Sequence, residues 1–277
     1  MGLRINTNVA SQAVQSNLKT ATKNTQESME KLSSGKRINK AADDAAGLAI
    51  AKNLEAETKG LRQATRNAND GVSLLQVTEG GLNEVSNILV RLRELSVQAA
   101  SDTVGEQERG FLDQEYQQLV DEVDRISEST SFAGRQVLNG DGAGTMDFQV
   151  GNQGDENSRI SFDSTEANAS SSNLGISGSG IGDKGDAHDS MDQIDEAINS
   201  VSSQRATLGA VQSRLQSAVS NLDTQVINQD AARSMIEDAD IAQESSKLAS
   251  ANVAKNASIS TLAQANNLPN NALRLIS

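Results

Sequence analysis

The sequence predicts a mainly α protein. Its expected form is a long antiparallel helical coiled-coil bundle with a small β-hairpin region, the amino- and carboxy-terminal helices paired. Three observations carry this. Apolar residues recur at seven-residue spacing early and late in the 277-residue chain. Aromatic residues make up only 2% and the single proline is Pro269, so burial falls to Leu, Ile, Val and Ala on uninterrupted helices. The two ends carry similar thin, Ala-rich stripes that neither end can bury alone.

Residues 3–35 hold sparse anchors (Val9, Ala13, Leu18, Met29, Leu32) among Asn, Thr, Ser and Gln. That is too little apolar area to hold a helix against its ordering entropy, so a partner is expected. The strongest pattern follows. Leu54, Leu61, Ala68, Leu75, Leu82 and Leu89 stand seven apart, and Ala64, Gly71, Thr78, Val85, Leu92 and Ala99 form a second row three positions on. Together they make an a/d seam that needs a facing helix. Glycines 60, 71, 80 and 81 weaken this helix by up to ~1 kcal/mol each, which packing must offset.

A shorter amphipathic helix carries Leu112, Tyr116, Leu119, Val123 and Ile126 on one face. Between Phe132 and Phe162 the period changes to two, with Met146, Phe148 and Val150 alternating with polar residues, and Ile160 and Phe162 doing the same. N-G, D-G and G-N-Q-G-D turns separate these runs, so a β-hairpin element over about 132–165 is expected to cap one end of the helices. Ser and Gly fill ten of the seventeen positions 170–186, which reads as a flexible surface crossing over 166–190. The facing helix for the first seam is supplied by Ile194, Val201, Leu208, Leu215 and Leu222, again seven apart. Residues 241–268 mirror the amino-terminal stripe with Ile241, Leu248, Ala251, Ile259, Leu262 and Ala265. The expected domains are therefore 1–45 with 235–277, an inner terminal-helix pair, and 46–234, an outer helical bundle.

Composition also excludes chemistry. No cysteine is present, so disulfides and thiolate sites are ruled out. The only histidine, His188, cannot form a His-pair zinc motif. Asp43 and Asp44 are adjacent carboxylates, but successive helix residues diverge, and a polar surface is the expected reading. Asn139–Gly144 is Gly-rich but lacks the Lys-Ser/Thr ending of a phosphate loop and reads as a turn. No catalytic constellation, cofactor or metal site emerges. The net charge of −13 is uneven: residues 1–40 hold seven Lys/Arg against two Asp/Glu, and 141–200 hold two against twelve. The basic arm lacks stacking aromatics and a dense Arg/Lys run, which argues against nucleic-acid binding. No apolar run is long enough to cross a bilayer, and the amino-terminal segment has no apolar signal-peptide core.

Several long segments resemble the bacterial flagellins. They are LSSGKRINKAADDAAGLAI at 32–50, RNANDGVSLLQVTEGGL at 66–82, RELSVQA at 93–99, RATLGAVQSRL at 205–215, IEDAD at 236–240 and LAQANNLP at 262–269. The resemblance covers about 1–165 and 190–277 and implies a short family member without large outer domains. It implies a homo-oligomeric helical filament for motility, with Val9, Leu18, Leu32, Ile241, Leu248, Ile259 and Leu262 as polymer core contacts. Extracellular location by type III export without a cleavable signal peptide is implied too. So are a cap protein, hook-junction proteins and an export chaperone as partners. In some flagellins an Arg, a Leu and a Glu meet the Toll-like receptor that senses flagellin; they match Arg91, Leu95 and Glu115. A hook–filament junction protein or a minor filament subunit is the alternative, since junction proteins share the terminal helices.

Overall fold

The computed structural model describes residues 7–140 and 144–276, with side chains in the last helix described as far as Asn267. The first residues of the amino-terminal stripe and the centre of the Gly-rich turn lie outside the described residues. Five α-helices appear in chain order: α1 (Val9–Ser34), α2 (Ala45–Ala99), α3 (Glu106–Ser129), α4 (Lys184–Glu237) and α5 (Ile241–Ile276). Four short strands lie between α3 and α4: β1 (Ser131–Phe132), β2 (Arg135–Gln136), β3 (Thr145–Gln149) and β4 (Arg159–Asp163). The fold class is the mainly helical one the heptads predict.

The chain divides into two compact units, Met1–Ala56 with Asn228–Ser277, and Glu57–Ile227. In the second unit, α2, α3 and α4 share one core. Leu75, Leu82, Val85, Leu89 and Leu92 of α2 meet Tyr116 and Val123 of α3 and Ile194, Val201, Leu208 and Leu215 of α4. Burying each large side chain there contributes about 1.5–3 kcal/mol. The helices run antiparallel. Arg93 bonds Asp195 at 2.6 Å, Arg205 lies 4.0 Å from Glu79, and Leu61 with Ala64 clusters on Leu222. Arg109 returns across the α2–α3 turn to donate to the Ala99 carbonyl at 2.7 Å.

β1 and β2 form a two-residue hairpin at Ala133 and Gly134, both with positive φ, 50° and 81°. That is the turn that matches strand twist. β3 and β4 pair antiparallel, with Met146 opposite Phe162 and Phe148 opposite Ile160 on the buried face. The sequence expectation is a cap on one end of the helices; the hairpin instead lies along α2. Phe148 packs over Gly71, where an added Cβ would sit 2.9 Å from the ring, and Asn67 donates to the Gln149 carbonyl at 3.2 Å. The seam glycine thus opens room for an aromatic ring.

The Ser/Gly crossing is also unlike its expectation. Leu174, Ile176 and Ile181 are all buried in the core. Polar groups of α3 hold the backbone between them: Asp124 accepts from Ser171 N and Oγ at 2.7 Å, and Asp113 accepts from Ile181 N at 2.8 Å. Three apolar anchors outweigh the flexible composition around them, and α4 starts at Lys184, inside the expected crossing.

In the first unit α1 packs on α5, and both neighbouring helix junctions break together. Gly35 ends α1 in the left-handed region at φ 70°. Asp44 caps α2 by accepting from Gly47 N at 2.8 Å, and Asp240 does the same for Ala242 N at 2.9 Å at the head of α5. Asp43 accepts from Asn39 N and Lys40 N. The adjacent carboxylates are two turn-closing groups. The two linkers pair as an antiparallel bridge, Lys36 with Asp238, with Arg37 N donating to the Glu237 carbonyl at 2.7 Å and Ala239 N to the Gly35 carbonyl at 2.9 Å.

Candidate assembly surfaces

Of the residues expected to form the intrachain seam, Leu61, Leu75, Leu82, Leu89, Ile194, Val201, Leu208, Leu215 and Leu222 are buried in the second unit. Leu54 belongs to the first unit and is half-buried.

The terminal pair is built differently. Along α1 a buried or half-buried stripe runs through Ser11, Val14, Leu18, Ala21, Thr25, Ser28 and Leu32, with half-buried Glu30 and Lys31 flanking it. The stripe on α5 is Glu244, Leu248, Ala251, Lys255, Ser258, Leu262 and Ala265, with half-buried Asn252 beside it. Both sets alternate steps of three and four, which is heptad spacing. Sequence reasoning missed most of them because an apolar template passes over Ser, Thr, Glu and Lys. The spacing itself was readable.

Polar bonds join this seam. Ser28 Oγ donates to Glu244 Oε1 at 2.8 Å, with both residues buried. Lys247 reaches the second oxygen of Glu244 at 3.1 Å. Burial acts to raise the Glu244 pKa, but the Ser28 bond and Lys247 together carry it below the ordinary Glu value. At the other end Asn8 Nδ2 donates to the Ala265 carbonyl and Ser11 Oγ to Asn266 Oδ1, both at 2.8 Å.

The seven expected polymer contacts therefore divide. Leu18, Leu32, Leu248 and Leu262 are half-buried seam positions within the unit. Val9, Ile241 and Ile259 are exposed at 59%, 53% and 48%, as are Met29 and Val253. A helix pair that buries Ser, Thr and Glu while leaving Val, Ile and Met in water is inverted relative to a self-sufficient one.

On the second unit Arg91 bonds Glu115 at 2.7 Å and Glu94 at 3.0 Å, and these bonds hold the guanidinium charged. Arg91 and Glu115 are exposed; Leu95 is only 1% exposed. The structure thus corrects the expected trio. Leu95 is a core residue of the α2 seam, and only the charged pair is presented to solvent. Among the described residues no group of three His, Cys, Asp or Glu gathers as a metal site, and no helix is long and apolar enough to cross a membrane.

The bacterial flagellin N-terminal helical region matches residues 5–143, and the bacterial flagellin C-terminal helical region matches 191–276. A flagellin of Halalkalibacterium halodurans is 43% identical over 251 residues, covering 91% of each chain. The crystal structure of Bacillus cereus flagellin is 30% identical and superposes with a TM-score of 0.50, covering 61% of this chain and 94% of that one. A putative flagellar hook-associated protein from Vibrio parahaemolyticus shares the fold at 16% identity, with a TM-score of 0.59 over 70% of this chain and 99% of that one. Both terminal regions, in order and over most of the length, are those of one family, and the chain belongs to the bacterial flagellins.

Proposed function

We propose that this flagellin builds the flagellar filament through its terminal helix pair, with Val9, Met29, Ile241, Val253 and Ile259 contacting neighbouring copies. The observation that carries the reading is the inverted pair: its seam is closed by polar bonds and half-buried leucines within the chain, while five large apolar side chains outside the seam face water. Each such side chain covered by another copy contributes up to about 1.5–3 kcal/mol. A head-to-tail contact that does not close generates an open helical polymer, so one chain type suffices. The family's structural role supports a non-enzymatic subunit of an extracellular appendage. No observation favours the hook–filament junction alternative.

Family membership supports the finer steps of this reading. The chain is exported by the type III apparatus, held by an export chaperone, and added under a cap protein beyond the hook-junction proteins. Contact with the flagellin-sensing Toll-like receptor is assigned to the exposed Arg91–Glu115 pair, without Leu95. Deleting residues 1–35 or 245–277 and examining the chain by electron microscopy in polymerising salt tests the central reading. A soluble helical chain without filaments is expected, and filaments from either truncation would overturn it.

A further inference from the structure

The heptad period alone cannot fix the register of α1 on α5. Ala, Ser and Thr fill much of both heptads, and a seven-residue slip returns seam positions to seam positions. A slip breaks the Lys36–Asp238 bridge between the linkers, and within the helices it changes the fate of Glu244. In the observed register its carboxylate accepts from Ser28 at 2.8 Å and is closed by Lys247. After a slip of one heptad it faces either Ala21, which has no donor, or Gly35, where α1 has ended. A buried carboxylate without a donor opposite is strongly disfavoured. Asn8 and Ser11 discriminate less. Helix carbonyls like that of Ala265 recur at every residue, and Asn266 is exposed.

We propose that the Ser28–Glu244 hydrogen bond, acting with the Lys36–Asp238 bridge at the helix junction, selects the register of the terminal helix pair, and so fixes which apolar residues the pair offers to the next copy. Glu244 is a positioning residue for assembly. It rests on the assembly reading above for its consequence, and on geometry within one chain for its existence. A buried polar group that specifies register at some cost in stability is a known role for such positions in helix pairs.

The chain has no cysteine, so reporter pairs read the register cleanly. Ala21→Cys with Ala251→Cys reports the observed register. Ala21→Cys with Ser258→Cys reports the slipped one, displaced by about 10 Å along the axis, too far for a disulfide in the observed register. Full-length chains are oxidised in polymerising salt, internal cross-links are read by gel mobility, and filaments are counted separately by electron microscopy. The observed-register pair should exceed the slipped pair by about tenfold or more. Glu244→Leu should narrow the ratio by about threefold or more, while Glu244→Gln, whose amide oxygen still accepts from Ser28, should keep the preference. An undiminished ratio in Glu244→Leu overturns the proposal. Should that variant lose helicity, Ser28→Ala takes its place, with a narrowed ratio expected and an unchanged one again overturning the proposal. Normal filament yield from Glu244→Leu chains whose cross-link ratio has fallen would count against the assembly reading and leave the register assignment standing.

Discussion

Leu138 Cδ1 lies 2.5 Å from the point a Cβ on Gly81 would occupy, while nothing lies within 4 Å of the same point on Gly80. Leu138 is fully buried and its carbonyl is held by Ser127 Oγ at 2.7 Å and Ala169 N at 2.8 Å, so it cannot easily give way. Gly81→Ala should therefore destabilise the chain by about 1–3 kcal/mol through overpacking. Gly80→Ala should stabilise it by up to ~1 kcal/mol through helix propensity. Urea unfolding of the two variants checks this, and shifts of the same sign would refute the packing account.

Tyr116 is buried, and its hydroxyl shares a 2.7 Å hydrogen bond with Ser179 of the crossing. Burial raises its pKa, so the phenol stays protonated and the bond intact across the neutral range. Tyr116→Phe should cost about 0.5–1.5 kcal/mol and speed protease cleavage between 172 and 182. Unchanged cleavage would mean the crossing is held by Leu174, Ile176 and Ile181 alone.

Glu244 has its pKa lowered in the folded chain, its Ser28 bond and Lys247 together outweighing burial. Its contribution to the terminal pairing is thus fully present above the unfolded Glu value of about 4.3 and is lost as pH falls through the folded one. Circular dichroism during acid titration should show the helix loss of Glu244→Gln depending less on pH below that point than the native chain. Identical titrations would remove Glu244 from the acid response.

Replacing Val9, Ile241 and Ile259 together by Ser should leave the urea midpoint of the soluble chain within about 0.5 kcal/mol, because these positions are surface ones in the single chain. Polymerisation should fail, as sedimentation of filaments would report. Normal filament yield would show that the contacts between copies lie elsewhere.

Arg91→Ala removes an exposed ion pair and should change stability by less than about 1 kcal/mol. A receptor reporter assay on the soluble chain should nonetheless lose signal. An unaltered response would withdraw the receptor assignment.

The bundle was legible because its seam is chemically loud: Leu75, Leu82 and Leu89 on one side and Leu208 and Leu215 on the other announce their period. The terminal seam keeps the same spacing with Ser11, Thr25, Ser28 and Glu244, residues that ordinarily signal solvent. Only their burial reveals that they face a partner. The crossing shows the opposite error. Ten Ser and Gly residues dominate its composition, yet three well-spaced apolar side chains fix its place. Leu95 was assigned by resemblance to a receptor surface, while its place in the α2 stripe, three residues after Leu92, already marked it as core.

The chain has no tryptophan and a single tyrosine, and that tyrosine is the buried one bonded to Ser179. Its near-ultraviolet absorption and intrinsic emission therefore come chiefly from one point in the molecule, where α3 grips the crossing. Ordinary bench spectroscopy becomes a local gauge: a change in emission intensity on assembly, acid or heat reports that grip and little else, with no dye or label added.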